Sequence, residues 1–525
     1  MKERYNMRTL HSHALPNNDG RTGADTSRIY QALPSVPFFC LAPVPFWLLA
    51  AALGIELLAH LAAGLGLVLG LGWIRALLRN PALMLGFLKL GGIMLLNIMS
   101  LGWLMALAFN FLAFDQGLST AFQATGAITV STYSSAVAYT LVFAAVLGAL
   151  GGIVSIRALE AIAVRRLLAA RGIHPRKLLM LIGVICTLEI WLIFSGIISY
   201  RTFAIAGFDE GRIAWYLPML QIMFSTQIGL NALAISQAVE NTGKPSKLAI
   251  TLISTSVLLI IFITFTQGRS VFILCMLLHF YWVTFFMERK PNLRSIIPIL
   301  VIALPLLFTG SLLSNFLRGD AVQGGDLKTV GFVNFLSQAI DTWQSDQTLR
   351  TAEKARSAEN LASRPLLAHP LAKSMALPNE QKTFLLGENL FNSAVWAIPS
   401  FFVSNKSLFP IQEDLLYQNF PIGTDDTADS MYLYAYVDFA YVGVLAYPIL
   451  IAFIWIAVLL LMRLPYISSL GVMTFACTWI AMFILSMGEA STVSWFVLPR
   501  NGIISLPFIV VVAKLFNFPR YAHRK

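Results

Sequence analysis

Long runs of apolar residues recur along most of the chain, and short polar stretches separate them. A helix that crosses the hydrocarbon core of a bilayer needs about 20 such residues in a row. The pattern therefore predicts an all-α polytopic membrane protein rather than a series of soluble domains. The runs predict about twelve transmembrane helices, at residues 36–54, 57–74, 84–109, 136–156, 178–198, 213–236, 248–266, 270–287, 295–313, 433–462, 466–487 and 502–518.

The basic residues of the short loops predict how these helices are oriented. Residues 36–74 are interrupted by Glu56 and His60, so we predict two helices there, the first made irregular by its prolines. With this split and an inner N-terminus, every basic cluster falls on the cytoplasmic side, as the positive-inside rule requires. If 36–74 were one helix, Arg75 and Arg79 would lie outside. We therefore predict that both termini are cytoplasmic.

The predicted helices divide the chain into four parts. Residues 1–35 are predicted to be an uncleaved, mostly disordered cytoplasmic tail, and residues 36–313 hold helices 1–9. Residues 314–432 form one large loop on the outer face, between helices 9 and 10, and residues 433–525 hold helices 10–12 and a short tail. A loop of this length is uncommon unless it is functional. We interpret it as a substrate platform or lid rather than a passive plug.

Two stretches of this loop have a recognisable pattern. Apolar residues recur near helical spacing in Leu327–Ala362. Leu385–Phe402 is apolar enough to lie on the membrane surface or to pack on the helix bundle.

The composition excludes several classes of protein. Only 12% of the residues are charged, 57% are hydrophobic, and the mean hydropathy is +0.72. Soluble domains carry about 25% charged residues, so a soluble enzyme, a disordered protein and a fibrous protein are excluded. The net charge of +11 is explained by cytoplasmic anchoring next to the bilayer, and no nucleic-acid partner is expected. The four cysteines and the histidines show no metal-ligand spacing, so we expect no metal and no cofactor.

Four arginines stand at the outer ends of predicted helices, where a charge is costly unless it has a purpose. They are Arg201, Arg269, Arg318 and Arg500. Guanidinium groups stay charged and present several donors in a planar fork, so converging arginines would hold a diphosphate without a metal. Arg269 is the strongest candidate because its TQGRS turn is short and contains Gly268. The alternative for each is a contact with lipid phosphates or a nearby acid.

Candidates for proton transfer and sugar contact lie in or just after the loop. His369, Asp320 and Asp438 are the possible general bases, with Asp429 as a rival, and the sequence does not choose among them. The acidic run TDDTADS at 424–430 is interpreted as a solvated turn rather than a cation site. Tyr432 and Tyr434 are candidates for sugar contact, although aromatic residues also form interfacial belts. The alternation of Tyr432, Tyr434 and Tyr436 predicts that part of this run is extended.

The run DSMYLYAYVDFAYVG resembles the short signature that follows the large outer loop in oligosaccharide-repeat-unit polymerases of the Wzy type, relatives of the O-antigen ligases. That signature contains a "DFG-x-x-G" phrase. This chain has Asp438, Phe439 and Gly443, and Ala440 stands in place of the first glycine. TQGRS is similar to the family's "GR" turn, and the plan of about 12 helices with the main loop after the ninth also resembles it.

The resemblance implies a metal-independent inverting glycosyltransferase of the GT-C type in the bacterial inner membrane. It would join undecaprenyl-diphosphate-linked oligosaccharides into a surface polysaccharide or exopolysaccharide, with a flippase and a chain-length regulator as partners. Arg269 matches the family's arginine turn, and Asp438 matches the acid of the phrase after the loop.

Three alternatives remain. A ligase that moves finished glycan to a lipid core is disfavoured because His369 lies near the middle of the loop and no histidine occurs from 370 to 522. A secondary transporter or lipid-linked glycan flippase often has repeated halves, which this sequence does not show. A structural scaffold would not need arginines in tight turns.

Overall fold

In a computed structural model of the chain, the described residues form α-helices joined by turns and short 3₁₀ helices, with no strand among them. The structure describes residues 36–79, 86–114, 118, 122, 128–169, 173–195, 217–240, 246–267, 269–287, 366–399, 402–403, 405–422, 430–461, 492–493, 495–497, 500 and 507.

Helices are numbered in chain order through these described ranges. They are α1 (Val36–Leu41), α2 (Val44–Leu53), α3 (Glu56–Arg79), α4 (Phe87–Phe114), α5 (Val130–Leu150), α6 (Val154–Ala169), α7 (Pro175–Phe194), α8 (Leu217–Glu240), α9 (Lys247–Gln267), α10 (Arg269–Phe286), α11 (His369–Ala376), α12 (Glu388–Ala397), α13 (Gln412–Asn419), α14 (Met431–Phe439) and α15 (Gly443–Leu461). Short 3₁₀ helices cover Asn379–Gln381, Lys406–Leu408 and Ala440–Val442.

Seven stretches of the described chain are long and apolar enough to cross a membrane. They are Val36–Leu53, Glu56–Ala76, Gly91–Leu112, Val130–Leu150, Pro175–Phe194, Lys247–Thr264 and Met431–Leu460. The fold is therefore all-helical and compatible with a multi-pass membrane protein, as predicted. The number twelve stays a prediction, because the predicted helices at 295–313 and 466–487 lie outside the described residues and only residue 507 of 502–518 is described.

The apolar stretch at 36–74 is divided as predicted, but into three helices rather than two. Helix α2 ends at Gly54, whose backbone is left-handed at φ 65°, and α3 starts two residues later. The predicted helix at 36–54 is itself broken after Leu41, and α2 begins behind Pro43. Proline lacks a backbone donor and favours the first turn of a helix, which explains the break.

Helix α5 begins earlier than the apolar pattern indicated. The sequence predicted a start at 136, whereas the structure starts the helix at Val130. The Thr129 hydroxyl accepts the backbone N–H of Thr132, and the Thr132 hydroxyl accepts the backbone N–H of Thr129. This reciprocal cap satisfies N–H groups that a helix start leaves unpaired. The cap explains why the polar residues after Thr129 belong to the helix.

Helix α5 is the centre of the first group of helices and packs against α1, α2, α4 and α15. Val36 fills the space beside Gly148 near one end of α5. Near the other end, the Ser131 hydroxyl donates to the backbone oxygen of Ala51. Helices α1 and α2 therefore run antiparallel to α5, as expected for the first and fourth of a series of alternating crossings.

The second group contains α7, α8, α9 and α10, in which α8 and α9 pack against each other and against both α7 and α10. Gly183 of α7 lies beside the Leu252 side chain of α9. Small residues at such positions let membrane helices approach closely.

The described part of the large polar loop packs on the end of α5 that is farthest from Val36. Helix α11 contacts α5, and Tyr133, in the first turn of α5, lies beside Tyr432 and the backbone of Ala368. The start of α1 and this part of the loop thus lie at opposite ends of the bundle. Residues 1–35 lie outside the described residues, so the expectation that they and the loop face opposite sides stays a prediction. The membrane side of each stays a prediction.

Candidate functional site

The site forms where the polar loop meets the end of α14. The chain before α12 runs beside α14, and the backbone N–H groups of Leu385 and Leu386 donate to the carbonyl oxygens of Val437 (3.1 Å) and Asp438 (2.8 Å). Leu386 and Gly387 then adopt positive φ angles of 49° and 96°. Left-handed backbone at two successive residues turns the chain sharply. The first turn of α12 is thereby placed on the carboxylate of Asp438.

The Asp438 carboxylate is fully buried, with 0% of the residue exposed. One oxygen accepts the backbone N–H of Asn389 at 3.3 Å, and the backbone of Gly387 also bonds to the carboxylate. The other oxygen accepts the hydroxyl of Tyr447 at 2.6 Å. The unpaired N–H groups and the partial positive charge of a helix start favour a carboxylate there. Asp438 therefore caps α12 from a separate element and joins the loop to α14 and α15.

A buried hydrogen-bond network extends from this carboxylate. The Asn389 amide nitrogen donates to the Tyr447 hydroxyl at 3.2 Å, and its amide oxygen lies 3.3 Å from the Thr492 hydroxyl. The amide oxygen of Gln412 accepts both the hydroxyl (2.9 Å) and the backbone N–H (3.0 Å) of Thr492. The hydroxyls of Thr492 and Ser393 lie 2.6 Å apart. The network connects α12, α13 and α15 with residue 492, and satisfied buried networks of this kind hold one arrangement.

Sequence reasoning missed every partner of Asp438 in this network. Tyr447 is a lone polar residue in an apolar run, and Asn389, Gln412 and Thr492 carry no motif. The phrase after the loop, by contrast, contains Asp438 itself.

Ala440 and Gly443 each have a structural reason for their position in that phrase. Ala440 ends α14 with φ 50° and ψ −134°, a conformation that favours glycine. The Tyr139 hydroxyl donates to its carbonyl oxygen at 3.1 Å. A side chain at Gly443 would collide with the backbone oxygen of Ala435 and approach the Tyr139 hydroxyl at 2.7 Å. Both positions of the phrase that resemble "G-x-x-G" thus require a small or glycine-like residue.

The tyrosine run at 432–436 is helical, and the prediction that part of it is extended is wrong. Helix α14 covers all of Met431–Phe439 because α5, α11, α12 and α15 surround it. Tyr432 and Tyr434 are both 0% exposed, and the Tyr432 hydroxyl donates to the Leu367 carbonyl at 2.7 Å. These two rings pack in the core. The neighbouring Tyr441, which contacts Tyr436 and is 69% exposed, offers an open aromatic face that sequence reasoning missed.

Two cations lie at the C-terminal end of α12. Arg500 donates to the Ala397 carbonyl at 3.0 Å, and the Lys406 ammonium donates to the Trp396 carbonyl at 2.7 Å. Burial and the nearby charge of Arg500 lower the pKa of Lys406. Cations are favourable at a helix C-terminus. The sequence predicted Arg500 as a site residue and missed Lys406, which lies 94 positions away.

The remaining candidates are placed only in part. His369 is the first residue of α11 and is half-buried. Its neighbour Leu367 bonds to Tyr432 at the start of α14, whereas Asp438 lies six residues further along that helix, about 9 Å at the usual rise. His369 and Asp438 are therefore not brought together.

Arg269 begins α10 directly after the end of α9, as the short turn predicted, and its side chain is not among the described ones. Arg201, Arg318 and Asp320 lie outside the described residues, as do Asp425, Asp426 and Asp429 and the stretch Leu327–Ala362. Within Leu385–Phe402, helix α12 packs on α13 and α14. This agrees with the expectation that the stretch packs on the helix bundle.

No protein-family description, no curated protein and no solved structure matches this chain.

Proposed function

We propose that this chain is a membrane glycosyltransferase that joins lipid-diphosphate-linked oligosaccharide repeat units into a polysaccharide. The observation that carries the proposal is the packing of the polar loop onto one end of an apolar helix bundle, fixed there by Asp438. Such a junction brings polar and aromatic side chains to the boundary where a lipid-linked sugar would present its diphosphate. The donor and acceptor would be undecaprenyl-diphosphate-linked units at the outer face of the bacterial inner membrane.

The proposed reaction exchanges one bond to the anomeric carbon for another. An acceptor hydroxyl attacks that carbon and forms the new glycosidic bond, while the bond to the diphosphate breaks and the lipid diphosphate leaves. A general base takes the hydroxyl proton, a step that contributes typically about 10²–10⁴-fold in rate. Asp438 already accepts bonds on both oxygens, so we assign it to positioning. His369, half-buried on α11, is then the described candidate for the base.

Cations would hold the diphosphate in the proposed reaction. Arg269 is at the first position of α10, where the helix dipole adds to the guanidinium charge and favours an anion. Arg500 and Lys406 place two further positive charges side by side. Charge grows on the leaving diphosphate as its bond breaks, so these contacts strengthen in the transition state. The proposal therefore needs no divalent metal.

The experiment is a glycan gel from a strain that lacks this chain. We expect the ladder above one repeat unit to disappear and to return with the wild-type chain. His369→Ala should fail to restore it, whereas Lys373→Ala, on the same helix, should restore it. A normal ladder without the chain contradicts the proposal. Loss of all outer-face lipid-linked material indicates a flippase, and polymer that stays on its lipid carrier indicates a ligase.

A further inference from the structure

A buried polar cluster lies in the middle of α7, α8 and α9, on helices that contribute nothing to the network around Asp438. The Gln227 amide donates to the Glu189 carboxylate at 2.7 Å and to the Ser256 hydroxyl at 2.9 Å. The Ser256 hydroxyl in turn donates to the amide oxygen of Asn231 at 2.7 Å. All four residues are 0% exposed. Side chains from three separate helices therefore form one connected hydrogen-bond cluster, with the Glu189 carboxylate at one end.

The cluster is incomplete as a set of hydrogen bonds. The second carboxylate oxygen of Glu189, the amide oxygen of Gln227 and the amide nitrogen of Asn231 are buried without a hydrogen-bond partner. Leaving a buried polar group unpaired costs free energy, and native structures contain few such groups. Two of the three unpaired atoms are oxygens, and one of these belongs to a carboxylate. The cluster thus has unused oxygens that are suited to a positively charged ligand.

The described parts of the surrounding helices pair no cation with this carboxylate. Among the described residues, no lysine, arginine or histidine forms an ion pair with Glu189. Cys186, one turn earlier on α7, is the titratable neighbour and lies against Ser256. Acidic groups within membrane helices are rare and usually mark an ion pathway or pair with a cation. Charge balance in this cluster therefore requires either a proton on Glu189 or a cation from solution.

We propose that Glu189, Gln227, Ser256 and Asn231 form a binding site for a monovalent alkali cation. Hard cations prefer oxygen ligands, and the cluster offers carboxylate, amide and hydroxyl oxygens. A single charge matches the one carboxylate. The site is independent of the transfer reaction proposed above, because it uses other helices and other residues. The opposing interpretation is that the cluster only joins helices by hydrogen bonds, as polar residues in membrane bundles do.

The experiment measures cation binding to the purified full-length chain in detergent. Radioactive ²²Na⁺ should bind saturably to the wild type at constant ionic strength, and unlabelled NaCl should compete where choline chloride does not. Thermal unfolding should shift upward by about 2–3 °C when Na⁺ exceeds its dissociation constant 100-fold, the size expected for a chain of this length. Competition by K⁺ as well as Na⁺ also supports the site.

Variants separate the site from a general salt effect. Glu189→Gln keeps the side-chain shape and removes the charge, so it should abolish both ²²Na⁺ binding and the Na⁺-dependent shift. Glu160→Gln removes a buried carboxylate on α6 that bonds to Trp455 and should leave both unchanged. The absence of saturable ²²Na⁺ binding to folded wild type would overturn the proposal, as would stability that responds to pH but not to Na⁺ or K⁺.

Discussion

Replacing Asp438 by asparagine tests whether this carboxylate positions the loop or takes part in the reaction. The substitution keeps the side-chain shape but exchanges one acceptor oxygen for an NH₂ group. If the NH₂ faces the start of α12, it meets the N–H groups of Gly387 and Asn389. If it faces Tyr447, that hydroxyl loses its bond to a charged acceptor, now 2.6 Å long. Either orientation leaves a buried donor without its partner.

The magnitude follows from these contacts. A hydrogen bond to a charged group contributes about 1.5–3 kcal/mol. The substitution breaks one hydrogen bond to this side chain, and the hydrogen bonds that remain are weaker because their acceptor is no longer charged. We expect a loss of about 2–4 kcal/mol in the free energy of unfolding. For a chain of this length, that corresponds to a fall of about 2–4 °C in the unfolding midpoint.

The assay is thermal unfolding in detergent micelles, together with limited proteolysis of the loop segment at 366–422. Asp438→Asn should lower the midpoint and speed cleavage before α12. Asp414→Asn, on the exposed surface of α13, is the matched control and should change neither. If Asp438→Asn unfolds at the wild-type midpoint but transfers no sugar, the positioning role is wrong and Asp438 is the base.

Further substitutions and fusions test other parts of the account. Ala440→Gly should raise the stability of the purified chain by about 1 kcal/mol, since it relieves a positive φ angle; an unchanged or lower unfolding midpoint contradicts that backbone conformation. Gly443→Ala should sharply reduce the yield of folded protein on size-exclusion chromatography, because a Cβ collides with a backbone oxygen, and a normal yield would refute this packing. Arg269→Ala should cut transfer by about 10²–10³, with partial rescue by lysine, which cannot fork across two oxygens; normal transfer would make Arg269 a lipid anchor. A reporter fused after residue 172 should be cytoplasmic and one inserted near residue 360 periplasmic, and a cytoplasmic signal at 360 would move the proposed site to the other face.

The apolar pattern located the seven described stretches that are long and apolar enough to cross a membrane, because a bilayer imposes one simple requirement on length and composition. The apolar pattern failed where polar residues are part of a helix. Thr129 caps α5 seven residues before the apolar run begins, and the tyrosines of α14 are helical because other helices bury them from several sides. Neither fact is visible in a run of apolar letters, since both depend on hydrogen bonds or on tertiary packing.

The candidate site was predictable only at its motif. The phrase containing Asp438, Ala440 and Gly443 is local, so its backbone requirements are visible in sequence. The network partners are not, because Thr492 is 103 positions from Asn389 and 80 from Gln412. Each of these residue types is common, and only the fold brings them together.

The most direct test of the central claim is polymerisation by the purified chain. The full-length protein would be placed in liposomes with a lipid-diphosphate-linked single repeat unit that is labelled on its sugar. The account predicts a ladder of products that lengthens with time, with one molecule of lipid diphosphate released for each unit added. Repeat units that stay single, or that cross to the other leaflet without lengthening, would contradict it.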